Sequence, residues 1–125
     1  MKNLFVPYKI ALQLKEKGFN EECIGYWWDK NWMRDTQKEV KEVHHLSLPT
    51  NHNKLPSRVS SILYQQVIDW FREKHNIMLE LHWQEGTQNY SFCYGYKAGK
   101  WFFPKETSNY YQSLNKAIEE ALKLT

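Results

Sequence analysis

Apolar side chains recur at three- and four-residue intervals in three stretches of the chain, and at two-residue intervals in a long stretch between the second and third. After Pro7, Ile10, Ala11 and Leu14 follow at helical spacing until Gly18, which predicts a helix over residues 7–17. Proline suits that first turn because the N–H it lacks would have no helical partner there. Tyr64, Val67, Ile68 and Phe71 fall at i, i+3, i+4 and i+7, widened by Trp70, with Ser60 or Ser61 as the cap; the spacing predicts a helix from 61 to 75. Asp69, Arg72, Glu73 and Lys74 form its solvated face. A third stripe of Tyr111, Leu114, Ile118, Ala121 and Leu122 lies opposite Lys116, Glu119, Glu120 and Lys123, with Ser108 as its cap.

The strands read from alternation. Cys23 to Trp28 is a short bulky run between polar residues. Ile77, Leu79, Leu81 and Trp83 alternate with Met78, Glu80 and His82, the pattern of a strand with one buried side. Past a loop over residues 84–89, Tyr90, Phe92, Tyr94 and Tyr96 alternate with Ser91, Cys93 and Gly95, which makes an antiparallel hairpin. Lys97 to Lys100 reads as a second tight turn, and Trp101-Phe102-Phe103 as a third strand that Pro104 ends or pushes to the edge. Residues 29–56 are weakly patterned. They open on the turn-like Asp29-Lys30-Asn31, run through Glu39 to His44, where a strand is favoured over a helix, and end in a loop-like composition from Leu48 to Pro56. The expectation is one domain over residues 1–125 with a loop or insertion at 29–60. Its order is α-β-(β)-α-β-β-β-α, an α+β class with three helices on a mostly antiparallel sheet.

Composition narrows the field. With 42% hydrophobic residues, six Trp, eight Tyr and six Phe in 125 residues, the chain carries too much apolar area to be disordered. Seventeen Lys and Arg against fourteen Asp and Glu give a net charge of +3, below the strongly basic balance of a dedicated nucleic-acid binder. Cys23 and Cys93 both sit in apolar strand-like contexts and read as buried thiols rather than as a disulfide, which fits a reducing interior. The apolar run at the N-terminus is too short for a signal peptide, and no 18-residue apolar stretch occurs, so a soluble cytoplasmic protein without a membrane partner is expected.

Three strings are distinctive: Tyr64 to Ile77, Phe5 to Ala11 with Leu14 to Phe19, and Tyr110-Tyr111 with Ala117 to Leu124. On these the chain resembles a set of small uncharacterised proteins encoded by Bacteroidetes genomes and by their phages or integrated mobile elements. The resemblance covers the first 28 residues and most of residues 61–124. It departs where Ser61-Ile62-Leu63 replaces an Ala-Pro-Thr cap, and residues 29–60 do not align. It implies a mobile-element setting and no activity, and it transfers no functional residue.

Candidate chemistry is sparse. His44, His45 and His52 fall in the polar region, but without a Cys-x-x-Cys or His-Glu-x-x-His spacing they read as solvated loop histidines rather than metal ligands, and no cofactor is indicated. A nucleophilic thiolate needs an activating base that the sequence does not place near Cys23 or Cys93. Glu80 and His82 share a strand face as a potential acid–base pair, which reads first as the solvent side of a sheet. The aromatic strands are the outstanding feature. They read first as core under the helices; exposed, they are a contact for a protein partner or a second copy, or a stacking platform for single-stranded nucleic acid, with Lys97, Lys100 and Lys105 meeting phosphate. Glu119 and Glu120 oppose the nucleic-acid reading. The candidate binding set is therefore Tyr90, Tyr94, Tyr96, Lys97, Lys100 and Trp101, and the expected function is a non-enzymatic protein-interaction module. Nucleic-acid binding is the alternative, and a small hydrolase built on Glu80, His82 or a cysteine stands behind it.

Overall fold

The computed structural model describes residues 4–29, 44–84, 90–102 and 110–125; at 81, 83, 84, 90–94 and 102 the description is of the backbone. The class is α+β, with three α-helices and two three-stranded antiparallel sheets, in place of a single sheet, among the described residues. The chain divides into two compact units, residues 1–64 and 65–125.

The first unit holds α1 (Tyr8–Glu16), β1 (Cys23–Trp28), β2 (His45–Thr50), a short 3₁₀ helix (His52–Lys54) and β3 (Arg58–Ser60), with strand order β2-β1-β3. Pro7 precedes α1 at φ −61° and ψ 156°, extended backbone from which the helix can start without the missing N–H. The stop is a paired closure around Gly18, whose φ is +92°. Its N–H bonds the Lys15 carbonyl at 3.1 Å, and the Phe19 N–H bonds the Leu14 carbonyl at 3.0 Å. Leu14 and Phe19, the two side chains this closure brings together, are both buried. Along β1, Cys23 and Gly25 are buried, Trp27 pairs with the buried Val59, and Tyr8 of α1 meets the Trp27 ring edge-on at 6.1 Å. Helix α1 therefore covers this side of the sheet. The Lys15 ammonium reaches the Arg58 carbonyl (2.7 Å), the Leu55 carbonyl (3.3 Å) and the Asp29 carboxylate (3.3 Å), tying the helix to the end of the sheet.

Two expectations for this unit change. Residues 48–56, loop-like by composition, contribute the end of β2 and the 3₁₀ helix. Pro49 is tolerated because β2 is an edge strand, where a missing N–H breaks no ladder bond, and the register shifts between the pairs Gly25↔Leu46 and Cys23↔Thr50. The strand expected at 39–44 falls mostly outside the described residues, and the described strand begins at His45. Asn53 fixes the segment that follows. Its backbone N–H donates to Ser60 Oγ (3.1 Å), its Oδ1 accepts the Ser60 N–H (2.8 Å), and its Nδ2 donates to the Phe19 carbonyl (2.8 Å).

The second helix, α2 (Tyr64–His75), starts three residues later than the apolar stripe suggested. Neither serine caps it: Ser60 lies in β3 with its hydroxyl on Asn53, and the N–H of the buried Ser61 bonds the Gly25 carbonyl at 2.9 Å. The bridge between Phe5 and Leu63, with Val6 N–H on the Ile62 carbonyl, holds this entry extended until Tyr64. Val67, Trp70 and Phe71 are buried, and α2 closes through Asn76 in the left-handed region (φ 54°), with the Ile77 N–H on the Phe71 carbonyl at 3.0 Å.

The rest of the second unit is β4 (Met78–Gln84), β5 (Tyr90–Lys97), β6 (Lys100–Phe102) and α3 (Tyr110–Leu122). The register of β4 and β5 runs without interruption from Met78↔Tyr96 to Gln84↔Tyr90. Ala98 (φ 51°) and Gly99 (φ 83°) both take positive φ in the two-residue connection to β6, as a hairpin whose twist matches its strands requires. The cap expected at Ser108 lies outside the described residues. Helix α3 buries Leu114, Ala117, Ile118, Ala121 and Leu122. No helix among the described residues is long and apolar enough to cross a membrane.

Candidate functional site

Which side of the second sheet α3 covers follows from the register. Leu79 pairs with Gly95, and both are buried; Met78 pairs with Tyr96, and Met78 is 41% exposed. Directly opposed residues share a face in an antiparallel pair, and neighbours along a strand do not. Helix α3 packs on β5 and β4, so it lies on the Leu79–Gly95 side. The small residues of the alternation, at positions 91, 93 and 95, are thus on the helix side, and the aromatic positions 90, 92, 94 and 96 are on the other. Reading these aromatics as core beneath helices is corrected for Trp101, which pairs with Tyr96 on the outer face and is 54% exposed. Gly95, buried and without a side chain, leaves α3 room on that side of the sheet.

Of the six expected binding residues, Tyr96 and Trp101 come together, their ring centroids 4.8 Å apart. Tyr90 and Tyr94 occupy register positions on the same face, and their side chains lie outside the described residues. Lys97 and Lys100 oppose each other at positions of the helix side, and Lys97 donates to the Leu124 carbonyl beyond the end of α3. The geometry separates the lysines from the rings they were expected to accompany. On the outer face His82 and Glu80 form an imidazole–carboxylate contact of 3.4 Å, with side chains 44% and 53% exposed. This pair lies on open sheet surface.

Charge divides the same way. Residues 1–64 carry ten Lys and Arg against seven Asp and Glu, and residues 65–125 carry seven of each, so the whole excess of +3 belongs to the first unit. The outer face of the second sheet carries Met78, Tyr96, Trp101 and the Glu80–His82 pair at its described positions.

The first unit contains a polar cluster that sequence reasoning missed. His52 is 1% exposed, which corrects its reading as a solvated loop histidine. Its ring packs on Tyr26 at 4.7 Å, His45 stacks on Tyr26 at 5.1 Å, and the Arg58 guanidinium lies 4.2 Å from the centre of the Tyr26 ring. His52 Nε2 is 2.7 Å from Ser47 Oγ, a distance that suits a nucleophile and its base. The protons run the other way. Arg58 can only donate, so at 3.3 Å it makes His52 Nδ1 the acceptor. His52 then carries its proton on Nε2 and donates to Ser47, whose hydroxyl donates to the Leu48 carbonyl at 2.8 Å. An imidazole so arranged has no lone pair for the serine proton, and burial followed by the nearby Arg58 charge holds its pKa below 6.5. The chain of donors is structural. The spacing Ser47 to His52 matches no catalytic motif, which is why the sequence did not show it.

His44 packs against Phe5 at 4.4 Å and Trp27 at 5.1 Å, and burial first, then His45, lowers its pKa. Its Nε2 and the Trp27 Nε1 are buried and have no hydrogen-bond partner among the described residues. Among the described residues no three His, Cys, Asp or Glu side chains gather where they could hold a metal ion. The buried Cys23 thiol donates to the Glu21 carbonyl at 3.7 Å. Comparison of the chain with protein-family models, curated proteins and solved structures finds no match.

Proposed function

We propose that this chain is a non-enzymatic protein-interaction module of the phage or mobile-element type, with the outer face of its second sheet as the contact. One observation carries the reading. The hairpin puts its small residues beneath α3 and its row of aromatic positions on the opposite side, where Met78 and Trp101 are 41% and 54% exposed. Exposed Trp and Met side chains gathered on one sheet face cost solubility without adding to a core, and such surfaces serve protein contacts. The face carries no lysine at its described positions, which favours a protein over a phosphate backbone. The mobile-element setting is supported by the resemblance of the sequence strings alone.

The test compares the protein with a Met78→Glu/Trp101→Glu variant as bait in extracts of a host cell. A defined partner retained by the parent and lost by the variant, at unchanged circular dichroism and unfolding midpoint, supports the reading. A partner set indifferent to the two substitutions overturns it. So does filter retention of single-stranded nucleic acid at low salt that declines steeply as salt is raised, the signature of phosphate contacts.

A further inference from the structure

We propose that β4 pairs edge to edge with β4 of a second copy of this chain, antiparallel about Leu81, joining two three-stranded sheets into one of six strands. The proposal rests on the interaction-module reading and names a partner for it, using the edge of the sheet and leaving its outer face open.

The four edge strands differ in how they end their sheets. Edge strands expose unpaired N–H and C=O groups and are normally blunted by shortness, proline, irregular register or like charges. β3 and β6 have three residues each, and β2 carries Pro49 together with a register shift. β4 has none of these devices. It is seven residues long, about 23 Å at the usual strand rise, holds no proline, and keeps an unbroken register with β5. No other described strand pairs with it.

The charged residues of β4 identify the occupant. About a two-fold axis at Leu81, each residue meets the one whose number completes the same sum, so Glu80 of one copy opposes His82 of the other, and the contact occurs twice. Met78 in turn opposes Gln84. A guard strand carries charges of one sign, which repel their own copies. β4 instead alternates a carboxylate and an imidazole that already attract each other at 3.4 Å and are both exposed. That is a self-complementary, isologous arrangement. Edge pairing buries less than a standard interface, so the dimer is expected to be weak, in the micromolar range.

The experiment is sedimentation velocity over a wide concentration range on the full chain, on Glu80→Lys, on His82→Glu and on their equimolar mixture, each checked for fold by circular dichroism. The parent should show a reversible monomer–dimer equilibrium. His82→Glu should weaken it roughly tenfold through two like-charged carboxylate pairs and Glu80→Lys by removing the carboxylate from both contacts, and the mixture should recover it, because E80K opposite H82E makes one Lys–Glu contact and keeps one Glu80–His82 contact. Hydrogen exchange should show the β4 amides that point away from β5 protected only at high concentration. A parent that stays monomeric overturns the edge pairing, as does a dimer indifferent to both substitutions. Acrylamide quenching of Trp101, taken as the difference from Trp101→Phe, separates this failure from that of the underlying reading. A monomer with Trp101 accessible leaves the interaction face standing, and a monomer with Trp101 shielded removes both. A dimer that shields Trp101 has paired through its faces and overturns the edge geometry.

Discussion

Arg58 Nη1 lies 3.3 Å from Nδ1 of His52, and this single contact decides the direction of every proton in the first unit's polar cluster. A guanidinium beside a nearly inaccessible imidazole also opposes a second charge there. His52 is held below 6.5 by burial and Arg58, and His44 by burial and His45. Between the folded pKa values and 6.5 the unfolded chain binds more protons than the folded one, so stability rises with pH in that window. The stabilisation is complete above 6.5 and is lost as pH falls through it. The urea midpoint is therefore expected to be level near pH 8 and to decline toward about pH 5. Arg58→Met should make the decline shallower, because it removes the second cause of the His52 depression. A parent midpoint that does not fall across this range contradicts the assignment.

Gly18 takes φ +92° with open space where a Cβ would stand. Gly18→Ala thus tests backbone strain with no steric clash. The expected loss is about 1 kcal/mol in chemical denaturation, the left-handed penalty of an L side chain.

Gly25 is the opposite case. A Cβ there would run into His44 Nε2 and come within 3.0 Å of the His45 carbonyl. Gly25→Ala should cost about 1–3 kcal/mol as an overpacked contact. Combined with His44→Ala it should cost less than the two separate losses added together, since one of the two obstructions is a side chain. If the two losses simply add, the backbone carbonyl is the whole obstruction.

Ala98 sits at φ 51° in the turn between β5 and β6, a position that asparagine or glycine occupies at lower cost. Ala98→Asn is expected to stabilise the protein by about 0.5–1 kcal/mol, read as a raised denaturation midpoint. A lowered midpoint would show that the side chain at this turn makes a contact the substitution breaks.

Much of the fold was legible because its signals are local. Pro7 and Gly18 bracket α1, alternation marks β4 and β5, and the stripe from Leu114 to Leu122 marks α3. The start of α2 was misplaced because Ser60 and Ser61 look like caps, and only the pairing of β3 with β1 and the bridge from Phe5 to Leu63 show that the chain is still extended there. β2 was hidden by Pro49 and by a composition rich in polar residues, since an edge strand in this sheet needs few buried side chains. The candidate surface was half legible. Alternation separated rings from small residues, but which side a helix would cover depends on non-local packing, and the lysines chosen by proximity in sequence fall on the wrong side of the strand for the rings. The buried state of His52 had no signal, because its partners Ser47, Tyr26 and Arg58 lie on or beside three different strands, β2, β1 and β3, and Tyr26 comes from far along the chain.

The Asn53 clamp has a consequence for how the first sheet can grow. Its side-chain oxygen accepts the Ser60 N–H, and its backbone N–H donates to the Ser60 hydroxyl oxygen, so one amide residue imitates a neighbouring strand along the free margin of β3. An incoming chain would find that margin already occupied, and on the far side it would meet the irregular run around Pro49. Among the described strands the first sheet is closed to growth along both margins, and lateral extension falls to the second sheet.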